Sequence, residues 1–222
     1  MLTMMLMLTS YLAGSIPFGL MIGRTVKGID LRQHGSGNIG ATNAGRVLGK
    51  KWGLICLVLD ALKGLLPVAF FPSLICGDAE PAMMEHLQVL AGVSTIVGHM
   101  FPCWLGFRGG KGVATSLGVI AMLSPWGLLA GAIAFFGTFA VWRIVSLSSM
   151  IAAISFGIYQ LATLSPSPFA TETWSQGLFA IMVPLLIVLQ HRSNLRRLLK
   201  GEEPRFGARR NATESSEKET EG

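Results

Sequence analysis

Apolar blocks separated by short polar segments dominate the chain. Leu2 to Gly23 carries no charge, and Trp52 to Pro72 carries only Asp60 and Lys63. His86 to Met100 is shorter. Val113 to Trp142 is uncharged and too long for one ordinary span, Ile144 to Leu164 is uncharged, and Trp174 to Gln190 is the last block. A helix needs about 20 apolar residues to cross a bilayer. The pattern therefore predicts an all-α integral membrane protein. In the long fourth block, Ser124-Pro125-Trp126 marks a corner, because proline interrupts a helix and tryptophan favours the membrane interface.

Composition supports this reading. Only 14% of the 222 residues are charged, against about a quarter in soluble domains. The net charge of +6 does not point to nucleic acid, because the cations lie between and after the apolar blocks, as membrane-orientation signals do. Arg24, Lys27, Arg32, Arg46, Lys50 and Lys51 fill the first loop. Arg108 and Lys111 follow the third block, Arg143 precedes the fifth, and the segment after His191 is strongly basic. The intervening loops hold Asp78, Glu80 and Glu85, or Glu172, and no cation. Lysine and arginine accumulate on the cytoplasmic side, so the N-terminus is expected outside and the C-terminus in the cytoplasm. That parity requires an odd number of crossings, and the corner at Pro125 makes seven transmembrane helices. The Val113–Leu123 arm is short, about 16 Å as helix against a hydrocarbon core of about 30 Å.

The N-terminal block lacks a basic leader and a good cleavage site, so it is read as a retained span. Cys56 and Cys76 lie at opposite ends of one predicted helix, about 30 Å apart, and cannot bridge. With Cys103 they form no metal-binding pattern. Residues 1–200 are expected to form the membrane domain. From Gly201 to Gly222 the composition turns polar and charged, which predicts a disordered cytoplasmic tail. Within it, Asn211-Ala212-Thr213 matches a glycosylation sequon by chance.

Three segments assigned to the cytoplasmic face carry the candidate chemistry. In the first, Gly35 to Arg46, glycines allow close approach of backbone N–H groups to an anion. Ser36, Asn38, Thr42 and Asn43 add neutral donors, and Arg46 offers a planar fork for phosphate. The embedded G-x-G-x-x-G is not a dinucleotide site, because membrane spans flank it where a β-α-β unit is required. The second runs from Gly98-His99 to Arg108-Gly109-Gly110-Lys111-Gly112. It lacks Walker spacing, but it places two cations around a glycine pair where a helix begins near Val113, an arrangement suited to phosphate. His99 alone reads as a capping or core histidine. The third is His191-Arg192-Ser193-Asn194, then Arg196-Arg197 and Glu203. His191 and Asn194 are one helical turn apart, and the bare alternative is a basic cluster holding lipid headgroups. Asp60 and Lys63, at i and i+3, either pair with each other or support the site.

Together these segments resemble the bacterial membrane-bound acyl-phosphate:glycerol-3-phosphate acyltransferases. That family is marked by G-S-G-N-x-G-A-T-N…R, G-H-x-F-P…F-x-G-G-K-G-V-A-T and H-R-x-N…R-L…G-x-E, found here as Gly35 to Arg46, Gly98 to Thr115 and His191 to Glu203. The resemblance implies seven helices in the bacterial inner membrane, acyl phosphate as donor and glycerol 3-phosphate as acceptor. Its implied product is 1-acyl-glycerol 3-phosphate (lysophosphatidate), in phospholipid biosynthesis. It also implies no metal or cofactor, and a functional link to the enzyme that makes acyl phosphate. In keeping with it, none of His34, His86, His99 and His191 begins an H-x4-D motif.

On this reading Ser36, Thr42, Lys111 and the Gly109, Gly110 and Gly112 backbone hold the donor phosphate and acyl oxygen. Arg46, His191 and Asn194 hold the glycerol phosphate. Gly37, Asn38, Asn43 and Arg108 line the phosphate sites, and Glu203 is a brace. A transporter for a phosphorylated solute is the main alternative.

Overall fold

The computed structural model describes residues 1–77 and 79–207. Asp78, most of the expected disordered tail and the Asn211 sequon lie outside the described residues. Those described form ten α-helices joined by turns. The first apolar block is two helices, α1 (Leu2–Gly14) and α2 (Phe18–Lys27). Pro17 lacks the N–H that continuity needs and disfavours helix at Ile16. Gly28 ends α2 in the left-handed conformation, with Arg24 and Lys27 in the last turn, where cations suit the helix dipole.

Helix α3 (Ala41–Leu48) takes up the second half of the first glycine-rich segment, whose composition suggests loop, and runs two residues past it. Helix α4 (Lys50–Cys76) runs for 27 residues, about 40 Å. Helix α5 (Pro81–Met100) begins earlier than its hydropathy indicated, with proline at its first position. The corner at Ser124 separates α6 (Val113–Leu123) from α7 (Pro125–Trp142), and the Ser124 hydroxyl accepts from the Gly127 N–H to cap α7. Then come α8 (Val145–Thr163), α9 (Trp174–Gln190) and α10 (Arg192–Leu199), the last bent 61° from α9.

Among the described residues, five candidate spans are long and apolar enough to cross a membrane, or six if the bent pair α9–α10 is one span. Leu2–Lys27 counts among them as one span. Helix α6 is apolar but only 11 residues long.

Packing runs inside out relative to a soluble protein. Leu54, Leu66, Phe70 and Leu74 of α4 and Trp126, Ile133, Phe136 and Val141 of α7 are exposed. Such continuous apolar surface is stable against lipid, not water. Within the bundle, small residues bring backbones together. A β-carbon at Gly118 would overlap the Ala61 carbonyl, and one at Gly64 the Thr115 carbonyl, so α6 lies directly on α4. Val68, Ile96, Met100, Val119, Phe156, Phe179 and Val183 form the apolar core between helices. At the Ser124 end of the bundle, Ser124, Gln160, Gln176 and Glu85 form a hydrogen-bonded chain across α5, α7, α8 and α9. Residues 201–207, the start of the expected tail, have no regular structure, but Phe206 N–H donates to the Arg143 carbonyl over 2.7 Å. Cys56, Cys76 and Cys103 are free thiols.

Candidate active site

The three glycine-rich or basic segments meet at one end of the bundle. Lys111, between α5 and α6, donates from Nζ to Asn194 Oδ1 on α10. Asn194 Nδ2 donates to Glu203 Oε1 over 2.6 Å, and Ser146 Oγ on α8 donates to the same oxygen over 2.7 Å. Arg197 Nε donates to Glu203 Oε2 over 2.7 Å. Burial would raise the Glu203 pKa, but the donors Ser146, Asn194 and Arg197 hold it below the usual glutamate value. The carboxylate thus holds Asn194, which in turn accepts from Lys111.

A polar cavity of about 140 Å³ opens beside Lys111, lined also by Ser36, Gly37, Asn38, Gln190, Ser193 and Arg197. Burial pushes the Lys111 ammonium down to a pKa of about 8, with Arg197 and Arg46 adding repulsion and Glu203 opposing them. His191 lies close enough to Lys111 and Glu203 to feel both charges. Its Nδ1 is 2.8 Å from the Ile187 carbonyl, which requires the proton on Nδ1 and leaves Nε2 as an acceptor. A larger cavity of about 390 Å³ adjoins across Gly37, lined by Asp30, Arg32, Gln33, Ile39, Arg108 and Gly109.

Several expected roles change once the geometry is known. Asn43 is buried, and its side chain is spent on its own loop. Nδ2 donates to the carbonyls of Leu31, His34 and Asn38, and Oδ1 accepts from the Ser36 N–H over 2.8 Å. Asn43 is therefore a brace that shapes the loop carrying Ser36, not a phosphate ligand. Asn38 reaches the cavity while its Oδ1 caps the Gly40 N–H. Thr42 and Arg46 are exposed on α3 and line neither cavity, although Arg46 stays close enough to Lys111 for its charge to act on the ammonium. The Gly109 and Gly110 N–H groups, expected to donate to phosphate, already donate to the Met100 and His99 carbonyls over 3.1 Å. Gly112 sits at the start of α6 with φ +81°, a conformation that favours glycine.

Asp60 and Lys63 pair at 2.8 Å in the interior of the bundle, away from both cavities. Gln190, Ser193 and Arg197 were not singled out as site residues. Their i, i+3, i+7 spacing places them on one helical face, a signal obscured by the break at His191. Nothing local marks Ser146.

The sequence matches the glycerol-3-phosphate acyltransferase family over residues 4–201. A glycerol-3-phosphate acyltransferase of Anaeromyxobacter sp. (strain Fw109-5) is 44% identical over 207 residues, covering 92% of this chain and 97% of that protein. One from Myxococcus xanthus is 43% identical over 205 residues, covering 92% and 100%. The fold is similar to the crystal structure of PlsY, an integral membrane glycerol 3-phosphate acyltransferase, in its glycerol 3-phosphate form. The TM-score is 0.79 at 40% identity, over 92% of this chain and 96% of that one. The lysophosphatidic acid form of PlsY aligns with a TM-score of 0.77 at 39% identity, over 92% and 95%. Matched in sequence and in fold over most of its length, this chain belongs to the glycerol-3-phosphate acyltransferase family.

Proposed function

We propose that this protein transfers a fatty acyl group from acyl phosphate to the 1-hydroxyl of glycerol 3-phosphate, releasing phosphate and 1-acyl-glycerol 3-phosphate. The observation that carries this reading is the meeting of Ser36 and Lys111 with Ser193 and Arg197 at one polar cavity, with Lys111 held by Asn194, so that three segments far apart in sequence build one site. The protein sits in the bacterial inner membrane with seven crossings, α6 being the short one. Its N-terminus lies outside and its site faces the cytoplasm. Residues 1–200 make the catalytic domain, and the polar residues from 201 onward append Glu203 to it.

The chemistry asks little covalent work of the protein. Acyl phosphate is a mixed anhydride with a good leaving group. Catalysis then needs two phosphorylated reactants held together and the developing oxyanion stabilised. Lys111 and Ser36 serve the donor, with Arg108 and the larger cavity beside them. Arg46, Asn194 and His191 serve the acceptor. Lys111 bonds Asn194 directly, so the two groups meet at that contact and are not separate compartments.

The acceptor hydroxyl oxygen forms the new bond to the acyl carbon. The bond from that carbon to the phosphate oxygen breaks, and phosphate leaves with the electron pair. The hydroxyl proton passes to the departing phosphate or to Nε2 of His191. Ser36 bonds substrate without forming an acyl intermediate, so trapping of an acyl-serine at Ser36 would replace direct transfer with a covalent route.

The test is incubation of detergent-purified protein with acyl phosphate and glycerol 3-phosphate. Acyl transfer without a sealed compartment is expected. Dependence on sealed vesicles, with no lysophosphatidate formed, would instead establish the transporter reading.

A further inference from the structure

We infer that Asp60, Lys63 and His99 form a buried positioning device that sets the Gly109–Lys111 loop, and through it the placement of Lys111. The inference rests on the catalytic reading of Lys111 given above. All three residues lie inside the helix bundle, with Asp60 1% exposed, Lys63 6% and His99 3%. None lines either cavity. Buried charge between membrane helices is expensive, and an apolar replacement of similar volume often stabilises equally well. Packing alone therefore does not account for the ion pair.

The contacts connect four parts of the fold. Lys63 Nζ pairs with Asp60 Oδ1 at 2.8 Å and donates to the Ile16 carbonyl over 2.7 Å, at the break between α1 and α2. Cys56 Sγ, one turn before Asp60 on α4, lies 3.6 Å from Asp60 Oδ2. His99 Nδ1 on α5 lies 3.7 Å from Asp60 Oδ1, and Nδ1 has no hydrogen-bond partner. At that distance the imidazole makes no hydrogen bond to the carboxylate, but Oδ1 is the acidic oxygen beside Nδ1, and its charge favours the ring orientation that keeps Nδ1 toward it.

The opposite edge of the same ring carries the loop. A β-carbon at Gly110 would overlap His99 Nε2, so the loop backbone rests directly on the imidazole. The His99 carbonyl also accepts from the Gly110 N–H over 3.1 Å. Lys111 is the next residue, and α6 starts two residues later. The position of the ammonium thus depends on the orientation of the His99 ring, which the Asp60 carboxylate biases while Lys63 balances the charge of that carboxylate.

Two variants test this. Asp60→Asn/Lys63→Met removes both charges together, and His99→Gln removes the ring without unbalancing charge. Each is purified, its thermal midpoint is measured, and kcat and KM are determined from about pH 6.5 to 9.5. Folded variants with thermal midpoints near wild type are expected. Their kcat should fall by roughly tenfold to a hundredfold, as misplacement of a catalytic group by about an ångström does. The rise of KM at high pH, governed by Lys111, should move upward because a loosened lysine returns toward its ordinary solution behaviour. Wild-type kcat and an unmoved high-pH rise in His99→Gln would overturn the inference. So would failure of both variants to fold, which would make the trio structural only. If wild-type protein itself shows no acyl transfer, the failure lies in the proposed function.

Discussion

The pH dependence of substrate binding tests the assignment of Lys111 most directly. Burial, with Arg197 and Arg46 nearby, takes its pKa from 10.5 to about 8 in the free protein. That displacement corresponds to roughly 3 kcal/mol, at about 1.4 kcal/mol for each tenfold change in the proton equilibrium. Two consequences follow with opposite sign. Below pH 8 the lysine is charged in both the folded and unfolded chain, and the full cost of burying it is present. Between pH 8 and 10.5 the unfolded lysine keeps its proton while the folded one loses it, so this group's contribution to stability rises with pH.

Binding runs the other way. A phosphate held by the ammonium must bring a proton back above pH 8. The KM of the phosphorylated substrate that Lys111 grips should be flat below about pH 8 and rise up to about tenfold per pH unit above it. A continuous assay of phosphate release, corrected for spontaneous hydrolysis of acyl phosphate, measures it. Lys111→Arg, whose guanidinium stays charged across this range, should bind more weakly throughout because its fork differs in shape. It should nevertheless lose the high-pH rise. A KM flat to pH 9.5 for both substrates, or a rise that persists in Lys111→Arg, would refute the reasoning.

Glu203→Gln leaves one of the three donors from Ser146, Asn194 and Arg197 facing an amide NH2. The loss of charge-assisted bonds should lower stability by about 2–4 kcal/mol, seen as a lower midpoint in scanning fluorimetry. An unchanged midpoint with reduced activity would contradict the brace. Asn43→Ala removes the four side-chain bonds by which Asn43 ties the first loop around Ser36. It should reduce kcat by on the order of a hundredfold through misplacement, whereas a change confined to KM would make Asn43 a substrate ligand after all. Gly110→Ala forces a methyl onto the His99 ring. Overpacking of about 1–3 kcal/mol and a shifted loop should make this variant less active than Gly137→Ala, where an added methyl meets open space, and equal activity of the two would count against the contact.

Much of this protein was legible in one dimension. Membrane class, the corner at Ser124-Pro125 and the start of α6 follow from local rules: burial of apolar runs in lipid, the missing N–H of proline and the backbone freedom of Gly112. The three segments that hold Ser36, Lys111 and Asn194 were visible as well, because anion binding requires glycine, amide and cation types that an apolar chain otherwise avoids. The break at Pro17 was also written in the sequence, but a continuous apolar run concealed it.

Only the tertiary structure decided which of those residues touch. Lys111 meets Asn194 across 83 positions, Ser146 meets Glu203 across 57, and the ring of His99 supports Gly110. It also moved Asn43 from ligand to brace and turned the Gly109 and Gly110 N–H groups inward. Sequence order records what each segment prefers locally. Distances between segments arise only when small residues such as Gly64 and Gly118 let whole helices close on one another.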